Sequence, residues 1–268
     1  MNYKLSILII TYNHEKYIEK AIKSVWIQKF FRDYEIIVVD DCSTDNTVNI
    51  ISQYKSIFGS KLKIFSNSQN LGITKNYKNA FSKCSGDFIA VLEGDDYWSS
   101  DMKLKLQMDF LIEHPECSMV FNKIIAEFPN GSNIPLQQFA DNVQYLLFNT
   151  SDLVKNNFIQ NFSGCMYRAS AIRNIDASLY EMLVYDWMIN IVVSQYGFIG
   201  YLPQPMSVHP VLNSGTWSGI SEFEQLNTVL KYIDKYNSFL GYRYNKEFIE
   251  NKAKICHRID EIRAEYDL

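Results

Sequence analysis

Four short apolar runs, at residues 5–10, 35–39, 62–65 and 88–92, each end in polar or acidic residues, and each leads into a segment of helical periodicity. A continuous apolar run, as opposed to an alternating one, marks a strand covered on both faces, which is the signature of a parallel sheet. After the first run, Ile18, Ala21, Ile22, Val25 and Trp26 fall on one helical stripe. After the second, residues 43–47 supply cap residues for a helix through Val48, Ile51 and Tyr54. The third leads to a helix around residues 76–82. The fourth leads to one carrying Leu104, Met108, Leu111 and Ile112, which Pro115 stops. Strand and helix alternating in this way predict an α/β domain with a mostly parallel sheet flanked by helices. Open sheets of this kind bind ligands at the carboxyl ends of their strands. Residues 11–13, 40–41, 70–72 and 93–96 are therefore expected to converge.

The last of these strand ends reads Glu93-Gly94-Asp95-Asp96-Tyr97-Trp98. Clustered carboxylates beside a dry core repel one another and lose hydration. A divalent cation removes both penalties, and Mg²⁺ or Mn²⁺ commonly binds through one or two carboxylates plus substrate phosphates. The segment thus reads as a metal–diphosphate site or as an acidic turn before a helix, for which Ser99, Ser100 and Asp101 are fair caps.

Bulk properties narrow the choice. A net charge of −4 lacks the basic footprint of a nucleic-acid binder, so no nucleic acid is expected as a partner. The five cysteines are odd in number and form no CxxC pair, which argues against a disulfide framework or a zinc site and suits a reducing compartment. Met1-Asn2-Tyr3-Lys4-Leu5 lacks the layout of a signal peptide. No apolar stretch approaches the ~18 residues of a membrane span. The expectation is a cytoplasmic protein.

The second half has weaker periodicity. Residues 122–149, with Pro129-Asn130-Gly131, read as loops and a hairpin. Phe162-Ser163-Gly164-Cys165-Met166-Tyr167 reads as a strand entering from a tight turn, and Tyr185-Asp186-Trp187 opens a helix. Residues 198–202 read as a strand and 209–219 as a loop. From Ser221 onward the pattern is helical, with one stripe at Leu226, Val229, Leu230 and Ile233 and another at Ile255, Ile259, Ile262 and Tyr266. Those stripes fit packing on the core, a homodimer, or peripheral contact with the inner face of the cell membrane. Nearly balanced charge weakens the membrane reading.

The chain resembles the family-2 inverting glycosyltransferases of GT-A fold. The resemblance is carried by Ser6-Ile7-Leu8-Ile9-Ile10-Thr11-Tyr12-Asn13, by Ile36-Ile37-Val38-Val39-Asp40-Asp41-Cys42-Ser43-Thr44-Asp45-Asn46-Thr47, by Asn70-Leu71-Gly72 and by Glu93-Gly94-Asp95-Asp96-Tyr97-Trp98. It implies a GT-A domain over residues 1–219, with a nucleotide-sugar-binding half at 1–122 and an acceptor-binding half at 123–219, and a C-terminal helical extension at 220–268. It also implies sugar transfer from a nucleotide-diphosphate donor, typically a UDP-sugar, to a hydroxyl of a growing surface glycan or lipid-linked oligosaccharide. Thr11, Tyr12 and Asn13 would pack on the nucleoside, and Asp41 would accept a hydrogen bond from the base unless it caps a helix with Ser43 and Thr44. Asn70 and Gly72 match a loop near the ribose or diphosphate. Where the family often has an arginine, this chain has Lys75, Tyr77 and Lys78.

The same resemblance makes Glu93-Gly94-Asp95 a DxD motif with glutamate in first place. Asp95 would hold Mn²⁺ or Mg²⁺, Glu93 would contact ribose or sugar or reach the metal through water, and Asp96 would orient neighbours or the sugar. Asp186 matches the family's catalytic base, its alternative role being an N-terminal carboxylate favoured by the helix dipole. His209 matches a histidine that reaches the diphosphate or metal, in a segment with Trp217 that closes over the donor. Tyr97 and Trp98 read as a stacking surface or as core. Two rival readings are a sugar nucleotidyltransferase, for which Thr11-Tyr12-Asn13-His14 is the wrong phosphate loop, and a non-catalytic nucleotide-sugar-binding or assembly protein.

Overall fold

The computed structural model describes residues 3–30, 32–211 and 219–266. The first half runs β1 (Leu5–Thr11), α1 (Ile18–Trp26), β2 (Tyr34–Asp40), α2 (Thr47–Gln53), α3 (Lys55–Phe58), β3 (Leu62–Ser66), α4 (Ile73–Lys83), β4 (Phe88–Glu93), β5 (Tyr97–Trp98) and α5 (Lys103–Glu113). Then follow β6 (Cys117–Glu127), β7 (Asn133–Pro135), β8 (Leu146–Phe148), α6 (Thr150–Lys155), β9 (Cys165–Arg168), α7 (Ala169–Arg173), α8 (Asp186–Ser194), β10 (Phe198–Pro210), α9 (Glu222–Phe239) and α10 (Asn245–Tyr266).

The strands form one sheet in the order β3-β2-β1-β4-β9-β6-β10-β5, with β7 beside β6 and β8 beside β10. Pairing is parallel from β3 to β4 and again between β6 and β10. It is antiparallel where β9 slots between β4 and β6 and where β5 meets β10. Successive residues of β1 serve opposite layers, as the two-residue period of a strand requires. Leu8 and Ile10 pack with α4, α8, α9 and α10, whereas Ile7 and Ile9 pack with α1 and α5. Core on both faces is why the runs are continuously apolar.

Three expectations need correction. The stretch expected to be loops from residue 122 begins inside β6, an 11-residue strand whose hydrophobicity is interrupted by buried Asn122 and Lys123. A half-domain boundary at 122 therefore cuts one strand. The Pro129-Asn130-Gly131 turn does make a hairpin, between β6 and β7. The strand expected at 198–202 continues to Pro210, so His209 and Pro210 end β10 and do not begin a loop. Trp217 and the rest of 212–218 lie outside the described residues. Of the three cap candidates before α5, Ser100 accepts from Met102 N at 3.2 Å, at the entry to the helix.

Much of the C-terminal stripes packs within the chain, although Leu226, Val229 and Leu230 are only partly buried against the core. Ile233, Tyr236, Leu240, Phe248, Ile255 and Ile259 belong to the same core cluster as Leu8 and Ile37. Ile262 is buried as well, and the Tyr266 side chain lies outside the described residues. Among the described residues no helix is long and apolar enough to cross a membrane.

Lys103, at the start of α5, is fully buried. Its ammonium donates to Gln107 Oε1 at 2.7 Å and lies 4.6 Å from the centre of the Trp98 ring. Burial lowers its pKa to about 7. Below that pH both folded and unfolded chains carry the proton. Above it, and up to the ordinary lysine value near 10.4, the unfolded chain binds more protons, so stability rises with pH. Lys103→Met is expected to remove this rise, which is at most about 1.4 kcal/mol per pH unit. Denaturant titrations of both proteins between pH 7 and 9 measure the difference in slope.

Candidate active site

The carboxyl ends of β1, β2, β3 and β4 come together, and each contributes a distinct part. At the end of β1, Thr11 is buried and Tyr12 is exposed. Asn13 takes a left-handed backbone with φ 54°, tolerable for asparagine because its side chain bonds locally. Its Oδ1 accepts from Thr44 N at 2.8 Å, and its own N–H donates to Ser43 Oγ at 2.8 Å. His14 N donates to Thr47 Oγ1 at 2.8 Å. The β1 and β2 loops are thereby fixed to each other, leaving the Tyr12 ring presented to solvent.

Asp40 and Asp41 divide two tasks. Asp40 accepts from Ser43 N at 3.0 Å and from the Ser43 hydroxyl, closing its own turn and not capping α2, which begins at Thr47. Asp41 accepts from Asn67 Nδ2 at 2.8 Å, Leu71 N at 2.9 Å and Gly72 N at 2.9 Å. Three of the roughly four acceptor positions of a carboxylate are thus used to hold the loop before α4. Asn70 Oδ1 also accepts from Gly72 N, at 3.0 Å. Gly72 needs its hydrogen side chain for conformation, with φ 76°, and not for space. Lys78 turns to Glu181, 3.8 Å away, and Lys75 is exposed.

The acidic loop leaves β4 at Glu93. Gly94 N donates to Ile10 O at 2.7 Å, pinning the loop against β1. A Cβ on Gly94 would lie 2.7 Å from Thr11 Oγ1 and 2.7 Å from His14 Nδ1. Only glycine permits that approach. Those two polar atoms are buried without a hydrogen-bond partner. Glu93 accepts from the Tyr77 hydroxyl at 3.0 Å. Burial, then repulsion from Asp96 and Asp95, pushes the Glu93 carboxyl well above its usual range. Burial and Asp96 also raise Asp95, against the pull of His14 and His209. Asp95 lies 3.8 Å from His14 Nε2.

Asp96 is buried and fully engaged. It accepts from Asn161 Nδ2 at 2.8 Å and Ser163 Oγ at 2.5 Å, and it meets His209 Nδ1 at 2.7 Å. Ser163 Oγ also accepts from Glu93 N at 2.9 Å. Burial alone would lower the His209 pKa, but the Asp96 contact outweighs it and lifts the ring to about 9. With Nδ1 held by a carboxylate, Nε2 is the nitrogen left for a ligand, the usual arrangement behind a metal-binding histidine. Trp98 is core, its Nε1 donating to Ser163 O at 2.9 Å. Tyr97 lines a cavity of about 180 Å³ with Lys16, Tyr17, Lys20, Asp95 and Asp96.

Among the described residues no three His, Cys, Asp or Glu side chains converge as a self-sufficient metal cage. The donors that are present suit a divalent ion completed by phosphate oxygens and water. An acidic loop whose carboxyls are pushed upward by one another is the electrostatic setting that a cation relieves.

Asp186 opens α8, partly buried. Its carboxylate accepts from Asn157 Nδ2 at 3.3 Å. Burial raises its pKa despite that bond and the nearby N–H of Trp187. The Tyr77 hydroxyl that donates to Glu93 also feels the charge of Asp186. Asp186 also stands in the first turn of α8, with backbone N–H groups of that turn beside its carboxylate, so the helix-dipole role and the base role are compatible. Sequence reasoning named Tyr77 without giving it a role and missed Asn161 and Ser163, whose partners lie far away in the chain.

The profile of Glycosyl transferase family 2 matches residues 6–176. An uncharacterized protein of Mycobacterium bovis is 30% identical over 217 residues, which is 80% of this chain and 60% of that protein. The putative teichuronic acid biosynthesis glycosyltransferase TuaG of Bacillus subtilis is 32% identical over 167 residues, 62% of each chain. The chain therefore spans about 60% of the length of these relatives. Among solved structures, residues 1–349 of Staphylococcus aureus TarS in complex with UDP-GlcNAc superpose with a TM-score of 0.66 at 23% identity, over 86% of this chain and 66% of that one. The mannosyltransferase PcManGT of Pyrobaculum calidifontis, in complex with GDP-Man and Mn²⁺, gives 0.65 at 14% identity, over 88% and 64%. The architecture is the GT-A fold, and with the profile covering most of the sheet and its strand-end loops, this chain is a member of glycosyl transferase family 2.

Proposed function

We propose that this protein is a metal-dependent, inverting glycosyltransferase of hexosyl type. It moves a sugar from a nucleotide-diphosphate donor, a UDP-sugar, to a hydroxyl of a surface glycan or lipid-linked oligosaccharide. The observation that carries the reading is the acidic loop after β4, where Glu93 accepts from the Tyr77 hydroxyl at 3.0 Å, Asp95 lies 3.8 Å from His14 Nε2 and Asp96 meets His209 Nδ1 at 2.7 Å. It supports a cation site, to which Asp186 of α8 adds the base.

Thr11, Tyr12 and Asn13 pack on the nucleoside, with Tyr12 offering an exposed ring. Asp41, Asn70 and Gly72 shape the ribose-side loop, and the last acceptor position of Asp41 serves the base. Asp95 and His209 Nε2 hold the ion, and Glu93, Gly94 and Asp96 shape the sugar side. When bound, Mn²⁺ or Mg²⁺ neutralises charge on the departing diphosphate. Asp186 takes the proton of the acceptor hydroxyl as its oxygen bonds to the anomeric carbon and the bond to the diphosphate breaks. A single carboxylate suffices for this displacement with inversion. Free cysteines at all five positions suit the cytoplasm, at the inner face of the cell membrane when the acceptor is lipid-linked.

The relatives support the donor class. TarS is a poly(ribitol-phosphate) β-N-acetylglucosaminyltransferase, 32% identical over 140 residues. The solved TarS complex holds UDP-GlcNAc, and the solved PcManGT complex holds GDP-Man and Mn²⁺. The test is UDP release from UDP-GlcNAc with Mn²⁺, with and without EDTA. Release that EDTA abolishes and Mn²⁺ restores is the expected result, and turnover indifferent to EDTA removes the metal from the reaction.

A further inference from the structure

We propose that Thr74 of α4 and Tyr236 of α9 are positioning residues that jointly set the Asp186 carboxylate, a proposal that rests on Asp186 being the base. The side chain of Asp186 accepts from Asn157 Nδ2 at 3.3 Å, with the backbone N–H groups of its own helix turn beside it. Its backbone approach is held far more tightly. Leu183 O accepts from the Tyr236 hydroxyl at 2.7 Å. The next residue, Val184, is bonded at both backbone groups by one hydroxyl: Thr74 Oγ1 donates to Val184 O at 3.0 Å and accepts from Val184 N at 3.0 Å. On the other side of Asp186, Trp187 Nε1 donates to Leu153 O at 2.8 Å, and its ring meets Tyr236 edge-on at 6.2 Å.

Thr74, Val184 and Tyr236 are each less than a tenth exposed, so these bonds are made away from water, where leaving a backbone group unpaired is costly. The carboxylate is therefore aimed through residues 183, 184 and 187 as well as through its own contacts.

The placement of Thr74 adds a second consequence. It lies two residues after Gly72, whose N–H is held by Asp41. The loop proposed to meet the nucleotide and the segment that presents the base are thus joined through Thr74, the first by the chain and the second by its hydroxyl. A donor that settles the first loop also settles the second. Tyr236 gives the C-terminal helix α9 a part in the reaction, which a mere extension would not have.

Tyr236→Phe removes one oxygen, and Thr74→Val removes both Val184 bonds while keeping the shape. Each is expected to lower kcat for UDP-GlcNAc turnover with Mn²⁺ by roughly 10- to 100-fold, with a much smaller change in donor KM and UDP affinity. Thr74→Ser is expected to restore it. In an Asp186→Asn background neither change lowers the residual rate further. A readout independent of turnover is amide hydrogen exchange. UDP with Mn²⁺ slows exchange at residues 182–187 in the wild type, and Thr74→Val loses that protection although UDP still binds. Unchanged kcat in both variants, an additional loss in the Asp186→Asn background, or no UDP-dependent protection in the wild type overturns the proposal. Full activity of Asp186→Asn alone overturns instead the assignment of the base.

Discussion

Replacing Asp186 with asparagine lowers glycosyl transfer by roughly 10²- to 10⁴-fold, the range that a positioned general base contributes. Nucleotide affinity stays at the wild-type level, because Asp186 belongs to α8 while the nucleotide-side residues lie on the β1, β2 and β3 loops. The substitution is close to isosteric, and Asn157 keeps a hydrogen-bonding partner, so folding is preserved. Isothermal titration with UDP and Mn²⁺ and a coupled assay for UDP release separate the two effects. The pH profile gives a second check. Burial raises the Asp186 pKa. The base works only when ionised, so transfer falls as pH drops through that raised value. The acid limb therefore lies above the position set by an ordinary aspartate near 3.9. Wild-type turnover in the variant would show that another group accepts the proton.

Gly94→Ala is expected to lose about 10²-fold in turnover, through displacement of the acidic loop and not through loss of a functional group. The new methyl would sit 2.7 Å from Thr11 Oγ1 and His14 Nδ1 and 2.9 Å from Thr11 Cβ. Thr11 is fixed in β1 and cannot yield cheaply, so Glu93, Asp95 and Asp96 move instead. The overpacking also costs about 1–3 kcal/mol of stability. Raising Mn²⁺ should recover part of the rate, because the ligands are displaced but present. A thermal melt, together with a Mn²⁺ titration of activity, distinguishes a weakened ion site from an unfolded protein. An unperturbed melt with normal activity at low Mn²⁺ would mean that the loop has room that the structure denies it.

The part of the site legible in sequence was the part that single segments encode. Thr11, Asp41, Gly72 and Asp95 each follow an apolar run, and parallel strands place such positions at one sheet edge whatever the loops do. The residues that hold them are a different matter. Ser163 and Asn161 lie 67 and 65 positions from Asp96 and reach it only because β9 inserts antiparallel beside β4. His209 reaches Asp96 from 113 positions away because β10 runs on past the expected end of its strand. Asn122 and Lys123 interrupt the apolar pattern of residues 117–127, and their burial is offset by bonds to Ser207 and Asp141, 85 and 18 positions away.

By itself the sequence determined the α/β class, the parallel half of the sheet and the set of acidic strand ends, because strand and helix periodicity and turn chemistry are local properties of the chain. Only the tertiary structure decided that Asp40 closes its own turn while Asp41 holds the next loop, that Trp98 is core, and that α9 reaches the segment before Asp186. Those outcomes depend on which buried donors lie within about 3 Å of which acceptors, and hydrogen bonds so short-ranged are settled by long-range packing, not by neighbours in sequence.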